Sequence, residues 1–75
     1  MGVATSLPVT YPEALQWFQR AAAQGHIRAF FYVAYFLQHG HGVPSDVADA
    51  IRWYRRAAAA GHARAERTLR ELLPV

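Results

Sequence analysis

The chain has no cysteine, so no disulfide framework can supplement its core and no thiol can serve as nucleophile or metal ligand. It has only two serines, Ser6 and Ser45, and only five carboxylates, Glu13, Asp46, Asp49, Glu66 and Glu71. The serines fall in a lead-in and at a helix start, and the carboxylates fall on predicted helix ends and outer faces. Neither set forms a catalytic constellation, so no catalytic residue and no enzymatic role is expected. Lysine is missing too: all eight basic residues are arginine, and the net charge is only +3. That charge is spread along the chain, with +1 on residues 1–39 and +2 on residues 40–75. So weak a basic balance argues against nucleic acid as partner. The apolar run at residues 29–37 is far too short to span a bilayer. Residues 1–9 have no basic start and no apolar h-region, so they make a poor secretion signal. No membrane association is expected, and the lack of cysteine fits a reducing, cytoplasmic location.

What the chain does have is a repeat. The stretch Ala14-Leu-Gln-Trp-Phe-Gln-Arg-Ala-Ala-Ala-Gln-Gly-His-Ile-Arg-Ala29 returns as Ala50-Ile-Arg-Trp-Tyr-Arg-Arg-Ala-Ala-Ala-Ala-Gly-His-Ala-Arg-Ala65, with ten of sixteen positions identical. Trp17 recurs as Trp53, Gly25 as Gly61 and His26 as His62, a period of 36 residues. A period of roughly 20–50 residues is the mark of stacked supersecondary units. Seventy-five residues with 53% apolar content suffice for one small helical domain.

The pattern predicts an irregular lead-in at residues 1–10 and one domain at 11–73 made of four helices, about 11–24, 27–39, 47–60 and 62–73. Thr10-x-x-Glu13 is a capping box with Pro12 in the first turn. Asp46 is the repeat equivalent of Thr10. Gly25 and Gly61 end the first and third helices, and Gly40-His-Gly-Val-Pro44 breaks the chain between the second and third. Loops this short make consecutive helices antiparallel neighbours. Gly40-x-Gly42 precedes a helix but follows no strand, so it is not a phosphate-cradling loop.

At about 100° per residue the second helix is apolar on two sides: Ala29, Val33, Phe36 and Leu37 on one, Phe30, Phe31 and Ala34 on the other. A helix of that kind is buried on both sides. At the repeat-equivalent positions the fourth helix carries Glu66, Arg67 and Arg70, a polar outer face suited to the end of a stack. The first helix lacks a preceding partner, and only Val3, Leu7 and Val9 are available to cover it.

The run Ala29-x-x-x-Val33-Ala34-x-x-Leu37-x-x-Gly40-x-Gly42-Val43-Pro44-x-Asp46-x-x-x-Ala50-x-x-Trp53-Tyr54-x-Arg56-Ala57-Ala58-x-x-Gly61-His62 resembles a Sel-1-like repeat, a relative of the tetratricopeptide α-hairpin. The glycine loop and the Trp-Tyr-x-basic-Ala-Ala-x-x-Gly block carry the resemblance. The family usually has Leu-Gly where this chain has Val33-Ala34, and an aromatic where it has Leu37. The resemblance implies an all-α fold: a short right-handed α-solenoid of four antiparallel helices. It also implies a non-catalytic adaptor that holds another protein or peptide, as in bacterial signalling, envelope or host-interaction pathways and in eukaryotic quality control. In that family the first helix of each repeat lines the concave, ligand-docking side.

Read on that template, Arg28, Tyr32, Tyr35 and His39 form a stripe on the second helix suited to a peptide or a partner helix, since tyrosine and arginine are common interface anchors. The competing reading makes Tyr32 and Tyr35 boundary residues over a small core. His39 and His41 could offer two imidazoles to a metal, but a structural site wants four ligands, so no metal and no cofactor is expected. His26 and His62 recur at the tight turns and are expected to serve the turn. Arg52, Arg55 and Arg56 read as a solvated outer face. Trp17 and Trp53 read as packing between hairpins. An uncovered first helix also allows a homodimer, in which two chains pair edge to edge about a two-fold axis.

Overall fold

The computed structural model describes residues 10–74; the lead-in at residues 1–9, with Val3, Leu7 and Val9, and the terminal Val75 lie outside the described residues. Four helices follow in order: α1 Tyr11–Ala23, α2 Ile27–His39, α3 Val47–Ala59 and α4 Ala63–Leu72. Each packs on its sequence neighbour, so the helices form a stack rather than a closed bundle.

The ends of the helices follow from local chemistry. Thr10 and Glu13 form the capping box at α1: the Glu13 amide donates to Thr10 Oγ1 at 3.4 Å and the Thr10 amide donates to Glu13 Oε1 at 3.1 Å. The Thr10 hydroxyl also donates to Glu13 Oε1 at 3.0 Å, and the two bonds Thr10 gives the carboxylate hold Glu13 below its ordinary pKa, the backbone bond contributing most. One period later, Asp46 Oδ1 accepts from the Asp49 amide at 3.0 Å. Helix α1 closes in a Schellman motif: Gly25 N–H reaches Ala22 O at 2.9 Å and His26 N–H reaches Ala21 O at 3.1 Å. Gly61 and His62 repeat both bonds on Ala58 and Ala57 at the end of α3. Gln24 and Ala60 are therefore caps rather than the last helical residues, and α1 and α3 end one residue before the sequence pattern suggests. His62 likewise sits just outside α4, as its N-cap, with Nδ1 accepting from the Ala65 amide at 3.1 Å.

The core has two layers on either side of α2. Leu15 and Ala22 of α1 meet Ala29, Val33 and Phe36 in the first. Phe31 and Ala34 meet Ala50, Tyr54 and Ala57 of α3 and Ala65 of α4 in the second. Two-sided burial of α2 follows from its two apolar faces, and Glu66, Arg67 and Arg70 of α4 are exposed as their polarity requires. Ala34 is wholly buried, so the methyl group at a position where the related family usually has glycine is accommodated inside the second layer. Small residues at Ala50, Ala57 and Ala65 let three helices meet closely around the large ring of Tyr54.

The inter-hairpin loop folds back onto the stack. Ser45 donates its hydroxyl to Gln38 O at 2.9 Å, and the Asp46 amide donates to Leu37 O at 2.8 Å. Gly42 adopts φ 80°, and a Cβ built on it would lie 2.7 Å from the Pro12 nitrogen and the Tyr11 carbonyl carbon. This residue lets the loop lie directly against the first turn of α1.

Candidate functional site

The stripe read from the sequence divides into two groups along α2, because positions 28 and 39 are about 16 Å apart at 1.5 Å per residue. At the N-terminal end, Arg28 and Tyr32 join Phe31, His62 and Arg64 around a cleft of about 330 Å³ between α2 and α4. At the other end, Tyr35 lies 4.4 Å from the His39 ring and 5.9 Å from the His41 ring. Tyr32 and Tyr35 remain 39% and 37% exposed, while Phe31 and Val33 beside them are buried.

Both tyrosines are held in place by neighbouring rings. Tyr32 stacks on Phe18 of α1 with centroids 4.8 Å apart and meets Phe31 edge-on at 5.5 Å. Stacking of this kind contributes about 0.5–1.5 kcal/mol per pair beyond area burial, enough to restrict the rings in advance of any contact. Aromatic side chains that are fixed yet exposed lose little conformational entropy when a partner covers them.

Sequence reasoning missed Phe31, His62 and Arg64 as parts of this cleft. Phe31 reads from the sequence as core alone, and it is core, but its ring also forms the cleft floor. His62 stacks on that ring at 4.8 Å, and the Arg64 guanidinium lies over it at 5.3 Å. The signal that identifies Arg64 is the period itself, since it is the repeat equivalent of Arg28.

His41 also has a larger part than a loop histidine. Its ring stacks on Tyr11 at 4.2 Å and meets Phe36 edge-on at 5.6 Å, joining the loop to α1 and α2. His39 and His41 are 5.7 Å apart by ring centroid. Among the described residues, no group of three or more His, Asp or Glu is placed to hold a metal.

The basic residues of α3 do not act as one patch. Arg52, itself well exposed, pairs with the half-buried Asp49 at 3.6 Å, whereas Arg56 lies over the rings of Trp53 at 4.8 Å and Phe30 at 5.0 Å. The expectation that both tryptophans pack between hairpins needs correction. Trp53 is half-buried against Phe30, with centroids 6.1 Å apart, but Trp17 is 65% exposed. The difference is positional: Trp53 has α2 on its side, and no described helix occupies the corresponding side of α1. Trp17, Arg20, Ala21, Gln24 and His26 there line an open notch of about 260 Å³.

Tyr54 is fully buried and donates its hydroxyl to Gln38 Oε1 at 2.7 Å. Burial, aided by the neighbouring Tyr35, pushes its pKa up to about 12, with Arg64 opposing. Its role is structural, since it ties α3 to the C-terminal part of α2 beneath the stripe. No described helix is long and apolar enough to cross a membrane.

The comparisons with known proteins fit this architecture. The family model described as Sel1 repeat matches residues 7–26 and 28–62. No curated protein matches the sequence. Among solved structures, a Sel1 repeat protein from Oxalobacter formigenes superimposes with a TM-score of 0.86 at 37% identity, over 93% of this chain. This chain spans only 20% of that protein's length. Repeats of this kind are in general protein–protein interaction modules. With the 36-residue period, the stacked hairpins and the family model all in agreement, the chain belongs to the Sel1 repeat family.

Proposed function

We propose that the chain is a non-catalytic interaction module that binds a peptide or a partner helix on its concave side through Arg28, Tyr32, Tyr35 and His39. The observation that carries this reading is the pair of tyrosines, 39% and 37% exposed yet fixed by stacking on Phe18 and beside His39. Residues needed only to close the core would be driven inward, as Phe31 and Phe36 are. The test uses peptides selected from a random library against the intact protein. The double substitution Tyr32→Ala and Tyr35→Ala is expected to abolish their binding while leaving the helical circular dichroism spectrum in place. Unchanged binding by a folded double variant refutes the assignment. The lack of cysteine supports a cytoplasmic setting for this activity.

A second reading, self-association through α1, is favoured by Tyr11 and Trp17, which are 54% and 65% exposed on that helix. Light scattering coupled to size exclusion distinguishes it: a mass near twice 8.4 kDa, falling on dilution or on Trp17→Ala substitution, supports a dimer. A monomer at every concentration excludes it.

A further inference from the structure

The cleft between α2 and α4 is one-signed. Its lining of Arg28, Phe31, Tyr32, His62 and Arg64 contains no carboxylate. The ion pairs among the described residues are Arg52 with Asp49 and Arg70 with Glu66, so neither Arg28 nor Arg64 is neutralised by a described carboxylate. The two arginines occupy the same repeat position, each the second residue of its helix. Helices α2 and α4 run parallel, being separated by one antiparallel element. Their N-terminal dipole ends therefore add positive potential at the same end of the cleft.

Arg64 is also prepared for a planar anion. Its guanidinium rests over the Phe31 ring, which restrains the side chain and leaves its N–H edge available. A guanidinium edge matches a carboxylate through two parallel hydrogen bonds. Beside it, Tyr32 offers a fixed, exposed ring face to an apolar side chain.

We infer that this cleft binds an acidic peptide segment, with a carboxylate side chain held by Arg28 and Arg64 and an adjacent apolar or aromatic side chain laid on Tyr32. The inference rests on the concave-side reading above and names the chemistry of the ligand. Nucleic acid is disfavoured, because the charge is a pair rather than a track and Arg52, Arg55 and Arg56 do not line the cleft.

The probe is a dye-labelled acetyl-Glu-Asp-Phe-Glu-Asp-amide, titrated into the intact chain at low salt and followed by fluorescence anisotropy. Its neutral isostere, acetyl-Gln-Asn-Phe-Gln-Asn-amide, is titrated alongside. The acidic peptide is expected to bind at least about tenfold more tightly than the isostere, as for loss of one charge-assisted hydrogen bond. Arg28→Gln and Arg64→Gln are each expected to weaken it by about tenfold, and added salt is expected to weaken it further. Both arginines are exposed, so unchanged melting temperatures verify that the variants fold.

Equal binding of the two peptides, no binding of the acidic one, or indifference to both arginine substitutions overturns the inference. So does a short oligonucleotide that binds more tightly than the peptide through the same arginines. The two readings fail separately. If library-selected peptides depend on Tyr32 and Tyr35 while the acidic peptide binds no better than its neutral isostere, the acidic specificity is wrong and the concave-side reading stands. If the acidic peptide depends on the arginines but not on the tyrosines, the aromatic stripe is wrong and the basic cleft stands.

Discussion

Substituting Gly42 by alanine tests how the inter-hairpin loop is fixed to the first helix. Two penalties act at this position. An L-residue at φ 80° carries strain of about 1–2 kcal/mol. The new Cβ also lies 2.7 Å from Pro12 N and Tyr11 C, and 3.0 Å from Pro12 Cα. Those are backbone atoms of the first helical turn, held by the capping box and the proline ring, so the loop must move instead. Moving it by several tenths of an ångström or more loosens the Tyr11–His41 stack at 4.2 Å and the His41–Phe36 edge contact at 5.6 Å. Each such pair contributes about 0.5–1.5 kcal/mol, so the total loss is about 3 kcal/mol.

Gly25→Ala provides the internal reference, because Gly25 has φ 87° and nothing within 4 Å of its Cβ position. Only the strain applies there, about 1–2 kcal/mol. The gain from restricting the unfolded chain is common to both alanine variants and cancels in their difference. Urea unfolding followed by circular dichroism measures both. For a domain of this size the whole stability is about 4–11 kcal/mol, so the Gly42 variant forfeits a large share of it. Its melting temperature should fall by roughly 12–24 °C, and that of the Gly25 variant by roughly half as much. If the two variants lose the same stability, the close approach of the loop to α1 does not contribute, and the reasoning is refuted.

The two repeat-equivalent tryptophans should respond unequally to alanine substitution. Trp53→Ala removes contacts with Phe30 and Arg56 and is expected to lose about 2–3 kcal/mol, while Trp17→Ala loses less than about 1 kcal/mol in the monomer; equal losses in chemical denaturation contradict the difference in burial. Tyr54→Phe leaves Gln38 Oε1 without its donor and should lose about 1–2 kcal/mol at neutral pH. Because the folded-state pKa of Tyr54 is raised from 10 to about 12, its neutral form is favoured in the folded protein. That contribution is complete below pH 10 and is lost as the pH rises towards 12. A rise from 10 to about 12 corresponds to about 2–3 kcal/mol at stake. Stability curves between pH 9 and 12 should therefore fall more steeply for the wild type than for Tyr54→Phe, and parallel curves refute the assignment.

The candidate site was less legible in the sequence than the fold. Helical periodicity places Arg28, Tyr32, Tyr35 and His39 on one stripe, but a period gives the direction of a side chain and not what it faces. Arg64 belongs to the cleft because α4 lies beside α2, which depends on the interhelical approach. Phe31 counts twice, as core and as cleft floor, and no pattern of apolar spacing expresses that double role.

The sequence by itself determined the elements and their order. Capping residues at Thr10 and Asp46, the Schellman glycines Gly25 and Gly61, and the break at residues 40–44 act through contacts a few residues apart, so they can be read locally. The 36-residue period and the two apolar faces of α2 likewise fixed which helix is internal, because burial must follow apolar surface. Tertiary structure alone decided which copy of a repeated residue is covered. Trp17 and Trp53 are the same residue type at equivalent repeat positions, yet one is exposed and the other half-buried, since only Trp53 has a described helix beside it. It also joined His41 to Tyr11 across 30 residues of chain, and Arg64 to Phe31 across 33. Contacts between residues so far apart are set by how the helices approach one another, and no local rule encodes that approach.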